Sequence, residues 1–330
     1  MLITLHDAAR MLSGADDILI LCHRYPDGDT LGSAYALARA LQGLGKRAAV
    51  DGSHEPGKRY RFLRELITPQ TFEPRFAVSV DVASASLLGE PMLSRWGDRV
   101  DLSLDHHRTG RPFAKCTFTD PSAAAAAEIV FRLLPLLGAP LDAGIAAALY
   151  TGVSTDTGGF RFPNTTPETL RIAAALMEAG ADAARLNRLL LDTKSRGFLE
   201  LERRVLGAMR FFLGGRCAVC VLPRETLDRC GVTDDEADAV PPMTRQIEGV
   251  LAGVTLREKE NGDFRVSVRT QPGVDAARIC RRFGGGGHSE AAGCTIHRED
   301  APDAEEAVRR LVRAVKDALP QDDVTKEERE

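Results

Sequence analysis

In the first half of the chain, short apolar runs alternate with longer segments of helical spacing. Ile18-Leu19-Ile20-Leu21, Arg47 to Val50, Phe76-Ala77-Val78-Ser79-Val80 and Leu102-Ser103-Leu104 read as buried strands. Leu31 to Leu44 carries an apolar face at helical period and stops at Gly45. The alanine-rich stretch Ser122 to Leu137 reads as a helix closed by Gly138 and Pro140, and another runs from about Ala143 to Val153. Strands that alternate with helices predict an α/β fold with a mostly parallel sheet flanked by helices. Right-handed crossovers bring the strand C-termini to one edge, where such sheets bind ligands.

The second half has a different rhythm. Thr169 to Ala179 is helical, and so is the charged, amphipathic stretch from about Ala183 to Phe212, which ends at Gly214-Gly215. A strand from Cys217 to Leu222 follows. Val250 to Arg257 and Phe264 to Arg269 form a hairpin around Glu260-Asn261-Gly262-Asp263, because Asn-Gly is a strong turn signal. A helix from Asp275 to Phe283 leads into Gly284-Gly285-Gly286-Gly287-His288, then a strand from Cys294 to Ile296 and a helix from Ala304 to Leu319. The 330 residues therefore divide into a first domain at 1–185, a helical connector at 186–215, a smaller α/β domain with a mixed sheet at 216–320 and a frayed charged tail at 321–330.

Composition narrows the class of ligand. A net charge of -4 argues against a protein that coats long duplex DNA, and 5% aromatic residues argue against a broad stacking platform for single strands. The N-terminus lacks the basic start and apolar core of a signal peptide, and no run approaches the ~20 apolar residues that cross a bilayer. Seven scattered cysteines, without a dense framework, fit reduced thiols in the cytoplasm. Cys217-Ala-Val-Cys220 lies in a strand, where residues three apart face opposite sides, so it is no metal clip. The remaining cysteines, Met11 and Met177 read as core.

Acids and histidines fall at the ends of elements. His23-Arg24-Tyr25-Pro26-Asp27-Gly28-Asp29 follows the first strand, Asp81 ends the third, Asp105-His106-His107 ends the fourth, and Asp156 ends a helix. Taken alone, Asp-Gly-Asp is a turn, His-His a surface pair, and Asp81 or Asp156 a helix cap. Together they bring many carboxylates to one edge, where they would repel each other and lose hydration. A pair of divalent cations offsets both costs. Imidazole and carboxylate without thiolate suit Mn²⁺ first, with Mg²⁺, Co²⁺ or Zn²⁺ as competitors. Two metals ~3.5–4 Å apart clamp the attacking and leaving oxygens of an in-line phosphoryl displacement.

The ordered set His23-x-x-Pro26-Asp27-Gly28-Asp29-x-x-Gly32-Ser33, Asp81, Asp105-His106-His107 and Asp156 resembles the motifs of the DHH phosphoesterases. Gly284 to Gly293, GGGGHSEAAG, resembles the signature of the DHH-associated C-terminal domain. The match runs from about Leu19 to Ile296. Length and layout most resemble the nanoRNase branch, whose members act as oligoribonucleases and as phosphatases of 3′-phosphoadenosine 5′-phosphate.

By that resemblance, His23, Asp27 and Asp81 hold one metal, and Asp29, Asp81, His106 and Asp156 hold the other, so that Asp81 bridges. Asp105 orients a histidine or closes the strand end. His107 faces the scissile phosphate as hydrogen-bond donor or proton source. Arg108 is a candidate phosphate contact. The glycine run, Gly285, Gly286 and Gly287, lets backbone N–H groups approach an anion, and His288 adds a donor. Arg281 and Arg282, just upstream, are further phosphate candidates, although such arginines commonly form a solvated face. With the metals on one domain and the glycine loop on the other, a gripped terminal phosphate or base would act as a ruler for short substrates. Pro163 stands where many relatives carry serine or another small polar residue, which bears on substrate preference and not on the ligands.

The expected partners are short RNA oligonucleotides or small nucleotides, without membrane or long duplex DNA. A homodimer is compatible with the sequence but nothing specifies its interface. The rival activity is a phosphodiesterase of cyclic or linear di-adenosine nucleotides. A pyrophosphatase is disfavoured by the glycine loop, and a processive exonuclease by the absence of a basic channel. A non-catalytic nucleotide sensor would be favoured by a missing ligand, and none of the six is missing.

Overall fold

Five short strands pair in parallel because the helices and loops between them return the chain to the same end of the sheet. They are β1 (Ile18–Leu21), β2 (Ala48–Val50), β3 (Phe76–Val80), β4 (Leu102–Asp105) and β5 (Cys116–Thr119), in the order β2-β1-β3-β4-β5. The structure is a computed structural model that describes residues 1–51, 56–107, 110 and 112–320. It divides into two units, Met1–Thr193 and Lys194–Glu330. No described helix is long and apolar enough to cross a membrane.

Alternation along the strands covers both faces of the first sheet. Ile18, Ile20, Val78, Val80, Leu102 and Leu104 enter the main core, while Leu21 and Ala77 enter a smaller cluster with Leu88, Trp96 and Val100. The main core is closed by α1 (Leu5–Gly14), α2 (Gly28–Gly43), α4 (Ala126–Leu137) and α5 (Ala143–Asp156), with the short α3 (Met92–Trp96) in the smaller cluster. Helix α1 and strand β5 were not read from the sequence. A Thr4–Asp7 capping box starts α1.

Helices α2 and α5 pack backbone to backbone. A Cβ on Gly32 would run into Ala148 O, one on Gly28 into the Thr155 side chain, and one on Gly152 would stand 2.7 Å from Asp29 Oδ1. These glycines press the first turn of α2 against the last turns of α5.

Several boundaries move for identifiable reasons. Helix α2 begins at Gly28 and not at Leu31, because Asp27 Oδ1 accepts from Asp29 N (3.1 Å) and Thr30 N (3.0 Å). Helix α4 begins at Ala126 and not at Ser122. Its cap position is Ala125, which has no acceptor, and the first free N–H groups are taken by Asp29 from α2. Helix α6 (Pro167–Glu178) buries Ile172, Ala173 and Leu176, which leaves Met177 on its outer face, 53% exposed and not in the core.

The continuous helix expected over 183–212 does not form. Helix α7 (Ala183–Asn187) passes into a π-helical turn, Arg188–Asp192, and stops at Thr193. Ser195 Oγ then accepts from Phe198 N at 3.0 Å and starts α8 (Arg196–Ala208), and Arg210–Phe212 is strand β6. Phe198, Leu201 and Val205 of α8 pack into a cluster with Cys220, Leu222 and Leu227, all within the second unit.

The second unit holds a mixed sheet in the order β10-β11-β9-β8-β7-β6, built from β7 (Cys217–Leu222), β8 (Ala252–Glu258), β9 (Phe264–Thr270), β10 (Gly286–Gly287) and β11 (Ala291–Ile296). Only β7 and β8 run parallel. The β8–β9 hairpin turns at Gly262, whose φ is 81°. Strand β7 is covered on both faces, with Cys217 and Val219 in one cluster and Cys220 and Leu222 in another. Burial pushes Cys217 up to about 12 and Cys220 up to about 11, so both thiols stay protonated. Helices α9 (Arg224–Cys230), α10 (Asp234–Ala237), α11 (Ala276–Arg281) and α12 (Ala304–Lys316) complete the unit. The tail 321–330 lies outside the described residues.

Gly32→Ala is expected to destabilise the protein by about 1–3 kcal/mol, the usual range for overpacking, as read from urea denaturation. An unchanged midpoint would show that the α2–α5 contact is looser than described.

Candidate metal centre

Parallel neighbours β1, β3 and β4 end at one edge, so the residues just beyond them meet. His23 follows β1, Asp81 follows β3, and His106 and His107 follow Asp105, the last residue of β4. Asp27 caps α2, Asp29 lies in its first turn, and Asp156 is the last residue of α5. The α2–α5 contact carries Asp29 and Asp156 to the strand edge together.

Asp81 stands at the centre. Its φ is 59°, a left-handed conformation that costs a non-glycine residue about 1–2 kcal/mol, and such strain marks functional positions. Its carboxylate is buried. Oδ2 accepts from Thr30 Oγ1 at 2.6 Å and lies 4.0 Å from His23 Nε2. Oδ1 has no hydrogen-bond partner, although it lies 3.4 Å from His106 Nε2 and 3.6 Å from His107 Nδ1. A buried, unpartnered carboxylate oxygen is costly and calls for a cation.

The neighbours repeat that demand. His106 Nδ1 is 3.2 Å from Ala123 O, which assigns its proton to Nδ1 and turns Nε2 toward the acids. Nε2 then lies 3.8 Å from Asp29 Oδ2 and 3.8 Å from Asp156 Oδ2. Asp29 is buried, and it accepts from Ala126 N (2.6 Å), Ala127 N (2.9 Å) and Ser33 Oγ (3.2 Å). His23 Nε2 lies 3.7 Å from Asp27 Oδ2, on the more exposed side.

Asp105 supports and does not join. Its Oδ1 accepts from His106 N (2.9 Å) and His107 N (3.3 Å) and pairs with His107 Nδ1 at 2.8 Å. That bond fixes the half-buried ring of His107.

Burial, and then the charge of Asp81, push Asp29 up to about 7. Burial and the charge of Asp29 raise Asp156 well above the carboxylate range. Burial works to lower His106, but the nearby carboxylate of Asp81, then the charges of Asp29 and Asp156, overrule it and lift the ring to about 11. The cluster therefore takes up positive charge, as protons or as metal.

The donor set fits divalent cations. Ligand atoms of His23, Asp27 and Asp81 lie within 4.8 Å of one another, as do those of Asp29, His106 and Asp156, and those of Asp81, His106 and His107. Asp81 and His106 each belong to two of these groups. Oxygen and imidazole donors without thiolate suit Mn²⁺, Mg²⁺ or Zn²⁺.

The remaining candidates lie elsewhere. Arg108 falls outside the described residues. Gly285, Gly286, Gly287, His288, Arg281 and Arg282 belong to the second unit. A Cβ on Gly285 would run into Gly293 O, and one on Gly287 would stand 2.6 Å from Ala291 O, so sheet packing alone demands those two glycines. Gly286 is exposed, pairs with Gly293 across the sheet and has room for a Cβ, and His288 is exposed with its N–H on Ala291 O at 2.8 Å. Arg281 pairs with Asp275 at 3.2 Å and Arg282 with Asp317 at 2.6 Å on the surface, and pairs of that kind contribute about 0–1 kcal/mol.

The sequence reading missed Thr30 and the backbone strap Ala123–Ala127. Thr30 was findable, since it follows Asp29 directly in the first motif. The strap was not, because its contacts with Asp29 and His106 are backbone groups far along the chain.

Residues 17–153 match the DHH family, N-terminal domain, and residues 215–319 match the DHHA1 domain. The chain is 37% identical to the bifunctional oligoribonuclease and PAP phosphatase NrnA of Thermus thermophilus, over 92% of this chain and 90% of that one. It is 27% identical to the protein of the same description from Bacillus subtilis, over 89% and 94%. Its fold is similar to the crystal structure of an exopolyphosphatase-related protein from Bacteroides fragilis, with a TM-score of 0.82, 24% identity and coverage of 95% and 96%.

The ordinary values of Asp29 and His106 are 3.8 and 6.5, so the folded protein without metal holds protons that the unfolded chain releases. Its stability should therefore fall as pH rises from about 5 to about 8, and bound metal should flatten that slope. Thermal unfolding of chelator-treated and Mn²⁺-loaded protein across this window checks the sign. A melting temperature that rises with pH in the stripped protein would contradict it.

Proposed function

The chain belongs to the DHH family, and from that premise we propose that it is a divalent-metal-dependent phosphoesterase of short nucleotides. It hydrolyses oligoribonucleotides of a few residues to mononucleotides, and 3′-phosphoadenosine 5′-phosphate to AMP. The observation that carries the reading is the unpartnered Oδ1 of Asp81, buried between His106 and His107. The similarity to two proteins described as bifunctional oligoribonuclease and PAP phosphatase supports the substrate class.

His23, Asp27 and Asp81 would hold one cation, and Asp29, Asp81, His106 and Asp156 the other, with Mn²⁺ the working metal. When bound, such a pair supplies charge neutralisation for the phosphate and activates water near neutral pH. The chain's own residues do the rest. Thr30 holds Oδ2 of Asp81, so the bridging carboxylate has one orientation. The strap N–H groups hold both oxygens of Asp29. Asp105 aims His107, whose Nε2 meets the scissile phosphate and delivers the proton to the leaving oxygen. We assign the chemistry to the first unit and the grip on the substrate to the exposed Gly286–His288 segment of the second.

Turnover with Mn²⁺ of 3′-phosphoadenosine 5′-phosphate, linear pApA, cyclic di-AMP and RNA of two, five and twenty-four nucleotides tests the reading. The bisphosphate and the shortest RNAs should be fastest. Turnover confined to pApA or cyclic di-AMP would replace it with a dinucleotide phosphodiesterase. Asp81→Asn should lower the rate by roughly 10³-fold or more, and near wild-type turnover would remove the bridging role. His288→Ala should raise KM for dinucleotides and spare a generic chromogenic phosphodiester, whereas equal loss on both would make His288 part of the chemistry.

A further inference from the structure

The loop beyond Asp156 turns back on the site. It passes through Gly158, Gly159 and Phe160, with φ of 58°, 71° and 66°, and returns Asn164 to the end of α5. Asn164 Nδ2 donates to Asp156 O at 3.1 Å and to Ala124 O at 2.9 Å. Ala124 lies in the strap whose Ala123 O faces His106 Nδ1 and whose Ala126 and Ala127 N–H groups hold Asp29. One side-chain amide therefore joins the backbone of Asp156 to the segment that aims His106 and Asp29.

The chemistry of the amide suits this task. Nδ2 carries two hydrogens, and each finds a carbonyl. The flipped amide would point Oδ1 at two carbonyl oxygens, so its orientation is fixed. Oδ1 is left buried without a hydrogen bond. A residue that merely filled space would not carry that penalty, so the two donors are what the position requires. Helix α4 begins at Ala126 without a capping side chain, and this bridge adds a hydrogen-bonded tie between its entry segment and the end of α5.

We propose that Asn164 is a positioning residue for the metal centre. It sets the spacing between Asp156 on α5 and the strap that orients His106 and Asp29, and so sets the affinity of the cation position those three share. This rests on the reading of Asp29, His106 and Asp156 as ligands.

The test is Mn²⁺ binding to the full chain, titrated by electron paramagnetic resonance without substrate. Asn164→Ala should weaken binding ~10–100-fold, as loss of a ligand's supporting contact does, while kcat and substrate KM recover at saturating Mn²⁺. Thr169→Val is the control. It removes the 2.6 Å bond from Thr169 Oγ1 to Glu128 Oε1, which also ties α6 to α4 but touches no ligand. That variant should melt at a lower temperature with unchanged Mn²⁺ affinity. If Asn164→Ala does not fold, Asn164→Ser, whose hydroxyl has one hydrogen for two carbonyls, should show an intermediate loss. Wild-type Mn²⁺ affinity in the Asn164 variant that folds overturns the proposal. So does an equal loss in Thr169→Val, which would indicate general loosening. Because the readout needs no substrate, a chain that hydrolyses no nucleotide still answers it.

Discussion

Negative charge gathered at one half-dry edge is the constraint to which the first unit answers. Asp29 and Asp81 are 1% and 4% exposed, and Asp27 and Asp156 stand beside them. Carboxylates so placed raise one another's cost and cannot all be hydrated. The fold meets part of the demand with its own dipoles. Backbone N–H groups of α4 serve Asp29, those of His106 and His107 serve Asp105, and those of α2 serve Asp27. The Thr30 hydroxyl serves one oxygen of Asp81. The other oxygen is left, and the groups that could hold a cation are arranged around it.

Packing converts that demand into geometry. Three adjacent parallel strands fix where His23, Asp81 and His106 emerge. The glycines of α2 and α5 let two helices touch backbones, which holds Asp29 against the end of α5 and so near Asp156. The left-handed Asp81 turns its carboxylate into the space between them. Each device would be a defect in a purely structural domain, since it adds strain, removes a side chain or buries a charge. Their convergence on one spot is the mark of a site that the fold was built to hold.

Much of this was legible from the residues. Short apolar runs announced the parallel sheet, and acids at the ends of successive elements announced the cluster, because period and position are local properties of sequence. The unread parts are contacts at long range. Asp29 caps α4 across 97 positions, so the alanine stretch gave no sign of where the helix would begin. Strand β5 is a short edge strand with polar alternate residues, and its pairing with β4 defines it more than its own pattern does. The helix expected over 183–212 fails at Ser195, where a local cap competes with helical periodicity and wins. In the second unit, the glycine run looked like an anion cradle throughout. Gly285 and Gly287 also answer to cross-strand crowding, a contact between distant positions that the run by itself does not display.

The account stands or falls on a dinuclear centre bridged by Asp81. The most direct measurement is electron paramagnetic resonance of the Mn²⁺-saturated protein, combined with metal analysis. The account predicts two ions per chain with the exchange-coupled spectrum of a pair ~3.5–4 Å apart. A single bound ion, or two ions with independent spectra, would contradict it.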